Sequence, residues 1–324
     1  MKQSIILFGA ALLAAACSSD KETTPSAGTD TDVPAPVELW PEEGVKSRVE
    51  YINNGTIQLG VDMDRGGAVF HFSETNTRKN LLNHVDEGRF VQQSYYGEPD
   101  GSVWNGQPWA WNPVQGGGSN GTNAQVRSSQ IGATSLMITT QPVLWASSRP
   151  AEGCVMAENI TLDGRVAHIR YTFANNGEAA TDHPATHQEV PAVFADWDLK
   201  TLVFYDGTEP WTDGALRYVS EPEIPRLDLG GTNREFTRTE HWAAWVDERG
   251  WGLGVYTPGT ELMTVYRFGS GPGGAQMGSC SYFAPLRTFA ITKGMRFTYD
   301  VYLMIGTVDE MRAAFRALHA ASQE

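Results

Sequence analysis

Residues 49–63 read VEYINNGTIQLGVDM. Polar and apolar residues alternate on both sides of Asn54-Gly55. A period of two puts successive side chains on opposite faces of an extended chain, and Asn-Gly readily takes the positive φ angles of a tight turn. The stretch therefore predicts an antiparallel hairpin. Nearly everything from Val49 to Gly306 reads the same way. ENITLDGRVAHIRYTFANNG (158–177) turns at Asp163-Gly164, and WAAWVDERGWGLGVYTP (242–258) and MRFTYDVYLMIG (295–306) are strand-like. The one predicted helix is terminal, VDEMRAAFRALHAA (308–321), with Phe315 and Leu318 at apolar spacing and acids in its first turn. Many short strands with glycine-rich turns predict an all-β fold, a large antiparallel sandwich or barrel closed by a short C-terminal helix.

The ends of the chain read differently. MKQ followed by SIILFGAALLAAA is a short positive start and an apolar run too short to span a bilayer comfortably, so residues 1–17 predict a lipoprotein-type secretory signal with Cys17 as the lipidation site. Residues 18–40 predict a disordered tether: up to residue 37 they hold no aromatic residue and only two large aliphatics. Residues 41–324 are left as one β domain, expected in the periplasm or on the cell surface and touching a membrane only through its lipid anchor. The 324 residues carry a formal net charge of −14 and no Lys/Arg cluster, which argues against a nucleic-acid partner. Two cysteines besides Cys17, Cys154 and Cys280, are weak grounds for a disulfide.

Residues 91–117, VQQSYYGEPDGSVWNGQPWAWNPVQGG, crowd Tyr95, Tyr96, Trp104, Trp109 and Trp111 among glycines, prolines and amides, with no helical or strand period. Aromatic rings give flat apolar area with a polar tip, as pyranose rings do, and Gln92, Gln93, Asn112 and Gln115 both donate and accept hydrogen bonds as hydroxyls require. The excursion is expected to form a wall for sugar rings over a sheet, or else a plug at one end of the sandwich.

Residues 170–194, RYTFANNGEAATDHPATHQEVPAVF, end a strand at Asn175-Asn176-Gly177 and open the next at Thr186-His187-Gln188-Glu189. Tyr-x-x-x-Asn-x-Gly before a Thr-His segment resembles the galactose mutarotase-like superfamily, which includes the aldose 1-epimerases. NNGTIQLGVDMDRGGAVFHFSETNTRKNLLN (53–83) looks like that superfamily's opening strands. The resemblance implies a large antiparallel β-sandwich whose concave face binds carbohydrate, with His187 at the place of the catalytic histidine. The family's late glutamate base has Glu240 as its nearest candidate, without the expected neighbouring pattern.

Without the family, His187 and Glu189 are two apart and share a strand face, where a hydrogen-bonded pair would raise the histidine pKa and serve as acid and base. The alternative is two structural groups at a strand entrance. Glu240 shares a face with Trp242, a carboxylate beside an indole, whereas Trp245 reads as core. Arg65 is a candidate partner for a substrate carboxylate, although structural ion pairs are the commoner use of such single arginines, Arg127 and Arg287 included. No metal signature is present; the pairs Asp62/Asp64 and Asp196/Asp198 suit turns, with a structural calcium as the alternative. No other cofactor is implied. The expected function is hydrolysis of a glycosidic bond in a poly- or oligosaccharide, with His187, Glu189 and Glu240 as acid/base groups. A polysaccharide lyase, a sugar mutarotase or epimerase, and a non-catalytic glycan-binding lipoprotein are the alternatives. Convergence of residues 95–111 with His187 and Glu240 in one groove is expected for the enzymatic readings, whereas separate clusters favour the non-catalytic binder.

Overall fold

Alternation of burial along each strand decides the layering. In the strand Cys154–Asp163, Met156, Ile160 and Leu162 are buried while Asn159, Thr161 and Asp163 are exposed. A computed structural model describes residues 38–84, 86, 88–269 and 278–323 of the chain. The signal, Cys17 and the tether up to residue 37 lie outside the described residues.

Among the described residues, nine strands form one antiparallel sheet in the order Arg217–Val219, Thr201–Phe204, Trp242–Val246, Trp251–Tyr256, Met295–Thr307, Val166–Asn175, Cys154–Asp163, Ser135–Gln141, Gln125–Ile131. Seven more make a second sheet, Val143–Leu144, Pro113–Val114, Gln92–Ser94, His183–Ala195, Cys280–Ile291, Leu262–Phe268, Arg234–Thr237. Ile169, Tyr171, Phe173 and Leu303 of the first sheet share one buried cluster with Val190, Val193, Val265 and Phe283 of the second. That shared layer is the sandwich core. The strands Val49–Asn53, Ile57–Asp62 and Ala68–Glu74 form a separate three-stranded sheet, with Leu59, Val61 and Phe72 in the same core.

The helix Val308–Ala321 covers the other face of the nine-stranded sheet. A capping box starts it: the Thr307 side chain accepts from the Glu310 amide while Glu310 accepts from Thr307. Met311 and Phe315 pack on Trp242, Tyr256 and Met304. Gly254 permits this contact, since a Cβ there would lie 2.4 Å from Met311 Sδ.

Three local readings shift. The turn of the 158–177 hairpin is Gly164-Arg165, because Asp163 pairs with Val166 and positive φ falls on Gly164 alone. The excursion over 91–117 is not irregular throughout: Pro99–Trp104 and Gln107–Ala110 form a hairpin at Asn105-Gly106, with φ of 49° and 74°. Trp40, at the end of the expected tether, is packed, and its Nε1 donates to Ser73 Oγ at 2.7 Å.

Candidate functional site

The outer face of the seven-stranded sheet is set by the same period of two. Along Cys280–Ile291, Cys280, Tyr282, Ala284 and Leu286 share one outer cluster with Phe194, while Phe283 points into the core. Tyr266 and Phe268 of the neighbouring strand pack against that cluster. Tyr266 stacks on Tyr282 with ring centroids 4.3 Å apart. On the other side, Glu189 pairs with Leu286 but Val193 pairs with Phe283, so the His183–Ala195 strand carries one extra residue. Pro191, which has no N–H for the ladder, lies in this bulge. The extra residue shifts the alternation, so that Glu189 and the even-numbered Ala192 and Phe194 all reach the outer face.

A cavity of about 290 Å³ lies over this floor. Its walls come from the loops: Trp104 and Trp109 of the 99–110 hairpin, Trp145, Asn112 and Arg89. Trp104 meets Trp109 edge to face at 4.8 Å and Trp145 at 5.9 Å. Trp109 Nε1 donates to Asn112 Oδ1 at 3.3 Å, and the Asn112 amide donates to the Tyr95 carbonyl at 2.7 Å, which holds the wall to the sheet. Arg89 is paired with Asp86 at 2.7 Å and lies over the Trp145 ring at 5.5 Å.

Among the described residues, Glu189 is the carboxylate in the lining. The Tyr282 hydroxyl donates to its Oε1, and the Ser94 and Tyr96 hydroxyls also bond to it. Burial raises its carboxyl above the ordinary value, and the three hydroxyls pull the other way. Burial likewise pushes Tyr96 and Tyr282 well above the ordinary phenol value, so both stay neutral donors. The Cys280 thiol in the floor is pushed up to about 12 by burial and stays protonated.

The expected convergence is only partial. Gln92, Tyr96, Trp104, Trp109, Asn112 and Glu189 line the cavity. His187 shares Glu189's strand but sits farther along the sheet, about half exposed. Its Nδ1 is 2.7 Å from Thr288 Oγ1, and the carboxylate facing it is Glu235 at 3.8 Å, not Glu189. Glu240 lies on the nine-stranded side, fully buried. Arg312 of the helix grips it at 2.6 and 3.0 Å, and the Trp242 indole and the Trp211 amide each donate to it at 2.8 Å. Trp242 packs on Phe315 in the helix-side core. Tyr95 points inward and stacks on Phe173 at 4.1 Å, and Gln93 accepts its hydroxyl. Gln115 bonds to the Gly66 carbonyl, Arg65 is buried and donates to the Gly121 carbonyl, and Trp111 stacks on His183 at 4.0 Å. Alternation of faces explains why Gln93 and Tyr95 point inward while Gln92, Ser94 and Tyr96 line the cavity; His187 shares Glu189's face but lies farther along the strand, and Glu240 belongs to the other sheet's side.

Two further expectations receive a structural account. Asp62 and Asp196 accept from backbone amides two residues on, the pattern of turn acids. Cys154 and Cys280 are buried free thiols. The floor residues Tyr266, Phe268 and Tyr282 and the wall residue Trp145 were not anticipated. For Tyr282 the signal was the alternation of Cys280, Tyr282, Ala284 and Leu286, and Asn105-Gly106, a hairpin dipeptide, marked the wall hairpin of Trp104 and Trp109.

Another buried acid, Glu158, lies in the sandwich core. Glu158 shares the inward face with Met156 and Ile160, and burial pushes its carboxyl from 4.5 up to about 8, the Gln115 amide pulling the other way. The unfolded chain releases this proton near 4.5 and the folded chain holds it to about 8, so the folded state binds more protons between these values. Stability falls as pH rises through that window. Glu158→Gln is therefore expected to be more stable than the parent at pH 9, with the gap closing towards pH 4.5, read from denaturant midpoints at both pH values. A gap independent of pH would show that Glu158 does not titrate this way.

No family model matches the chain, and no curated protein matches it. Solved structures do. A galactose mutarotase-like protein from Lactobacillus casei superposes with a TM-score of 0.52 at 10% identity, over 80% of this chain and 100% of that one. A proposed aldose 1-epimerase from Escherichia coli K12 gives 0.51 at 13% identity, over 81% and 99%. A protein from Synechocystis sp. PCC 6803 gives 0.50 at 13%, over 83% and 99%. The chain thus has the galactose mutarotase-like β-sandwich fold.

Proposed function

We propose that this chain binds a sugar ring in the cavity over the seven-stranded sheet. One observation carries the reading: indoles from a hairpin wall and phenols from a sheet floor border one space whose lining, among the described residues, holds a single carboxylate. Ring C–H faces pack on the aromatic surfaces, and hydroxyls donate to Glu189 or bond to the amides of Asn112 and Gln92. About 290 Å³ is at the lower end for ligand cavities, which suits one or two rings rather than a long chain segment. The lipoprotein-type leader, with Cys17 acylated, would present this cavity to poly- or oligosaccharides in the periplasm or at the cell surface.

A second reading adds chemistry. The raised carboxyl of Glu189 favours proton transfer at an anomeric hydroxyl, as in an aldose 1-epimerase. Hydrolysis by the paired mechanism uses two carboxylates, and the described lining contributes Glu189 alone.

Titration calorimetry with mono- and oligosaccharides tests the binding. Trp109→Ala is expected to weaken affinity about tenfold, the loss of a ring contact worth about 1.4 kcal/mol. Unchanged affinity in that variant would remove the proposed wall. Anomer exchange measured by NMR separates the epimerase from the binder: faster exchange with the parent, lost in Glu189→Gln, supports proton transfer.

A further inference from the structure

Among the described residues, the carboxylate of Glu189 has three hydroxyl partners and no cationic one. The hydroxyls of Ser94, Tyr96 and Tyr282 are neutral, and the groups that act on Glu189 are these three together with its own burial. The cation in the cavity lining is Arg89, whose guanidinium is engaged by Asp86 at 2.7 Å and laid over Trp145. Among the described residues, a formal negative charge is thus recessed among rings without a positive counterpart, an arrangement that costs free energy unless a charge partner arrives.

The surroundings favour a cation as well. Ring faces are electronegative, and Tyr266, Tyr282, Phe194, Trp104 and Trp109 border the same space. An ammonium inserted there meets π-faces and a carboxylate together. A carboxylate has roughly four acceptor directions, so three hydroxyl donors leave about one for a ligand. The formal net charge of −14 attracts cationic ligands at long range.

We propose that the cavity selects a sugar carrying a free amino group, with the ring stacked on Trp104 and Trp109 and the ammonium placed against Glu189 among the phenol rings. This rests on the sugar-cavity reading and narrows its ligand class to cationic amino sugars. An N-acetylated sugar is disfavoured twice: its nitrogen is neutral, and the added acetyl group competes for a space of only about 290 Å³.

Calorimetry on the parent protein with glucosamine, glucose and N-acetylglucosamine decides it. Glucosamine is expected to bind at least tenfold more tightly than the other two, with affinity falling as salt is raised. Glu189→Gln is expected to reduce glucosamine to the level of glucose. Equal affinities in the parent, or a preference for N-acetylglucosamine, overturn the proposal while the sugar-cavity reading stands. A glucosamine preference that survives in a folded Glu189→Gln also overturns it, because the ammonium would then sit elsewhere. Absence of binding by all three overturns both.

Discussion

Arg312→Ala is expected to destabilise the folded chain by about 3–5 kcal/mol, the usual cost of stranding a buried charge by removing its partner. Glu240 is fully buried and takes two hydrogen bonds from the Arg312 guanidinium, one from the Trp242 indole and one from the Trp211 amide. Removing the arginine leaves a carboxylate with two neutral donors in a layer built from Trp242, Met311 and Phe315. It also detaches the guanidinium from the Gly214 carbonyl, 2.8 Å away in the parent. Chemical denaturation of parent and variant gives the number. Sugar affinity is expected to stay within twofold, since no cavity residue belongs to this cluster. A loss below about 1 kcal/mol would mean that water reaches Glu240 and that the pair behaves as a surface one.

The second large effect separates Tyr95 from Trp104, two aromatic residues of the same excursion. Tyr95→Ala is expected to cost about 3–5 kcal/mol of stability, because its ring is fully buried against Phe173 and the space cannot be refilled from either sheet. Trp104→Ala, on the half-buried hairpin, is expected to change stability by less than about 1 kcal/mol and instead to weaken sugar binding. Denaturation and calorimetry on both variants give four numbers. If Tyr95→Ala proved stable and binding-defective, Tyr95 would belong to the wall, as the composition of the excursion suggests.

Local information went far in this chain. The helix Val308–Ala321 was legible to the residue, because its cap, first-turn acids and apolar spacing all lie within one short window. The β-sandwich was legible from alternation and turn dipeptides, which act over a few residues. The site was legible in part. Trp104, Trp109, Asn112 and Glu189 meet in the cavity, whereas His187, Glu240 and Tyr95 do not. Nothing local marks that difference. His187 and Glu189 do share a strand face, but the hairpin wall overhangs Glu189 and its neighbours Tyr96 and Tyr282.

The amino-acid sequence by itself determined the strand-rich class, the capped helix and an aromatic excursion unsuited to a simple core element. Tertiary structure decided which rings are floor, wall or core, and which carboxylate faces the space between them. Pairings between residues far apart in the chain set those outcomes: Glu189 lies beside Ser94 on one side and Leu286 on the other. A bulge of one residue at Pro191 then turns the strand's following side chains over. Sheet order and bulges are cooperative, long-range choices, and a period of two is blind to both.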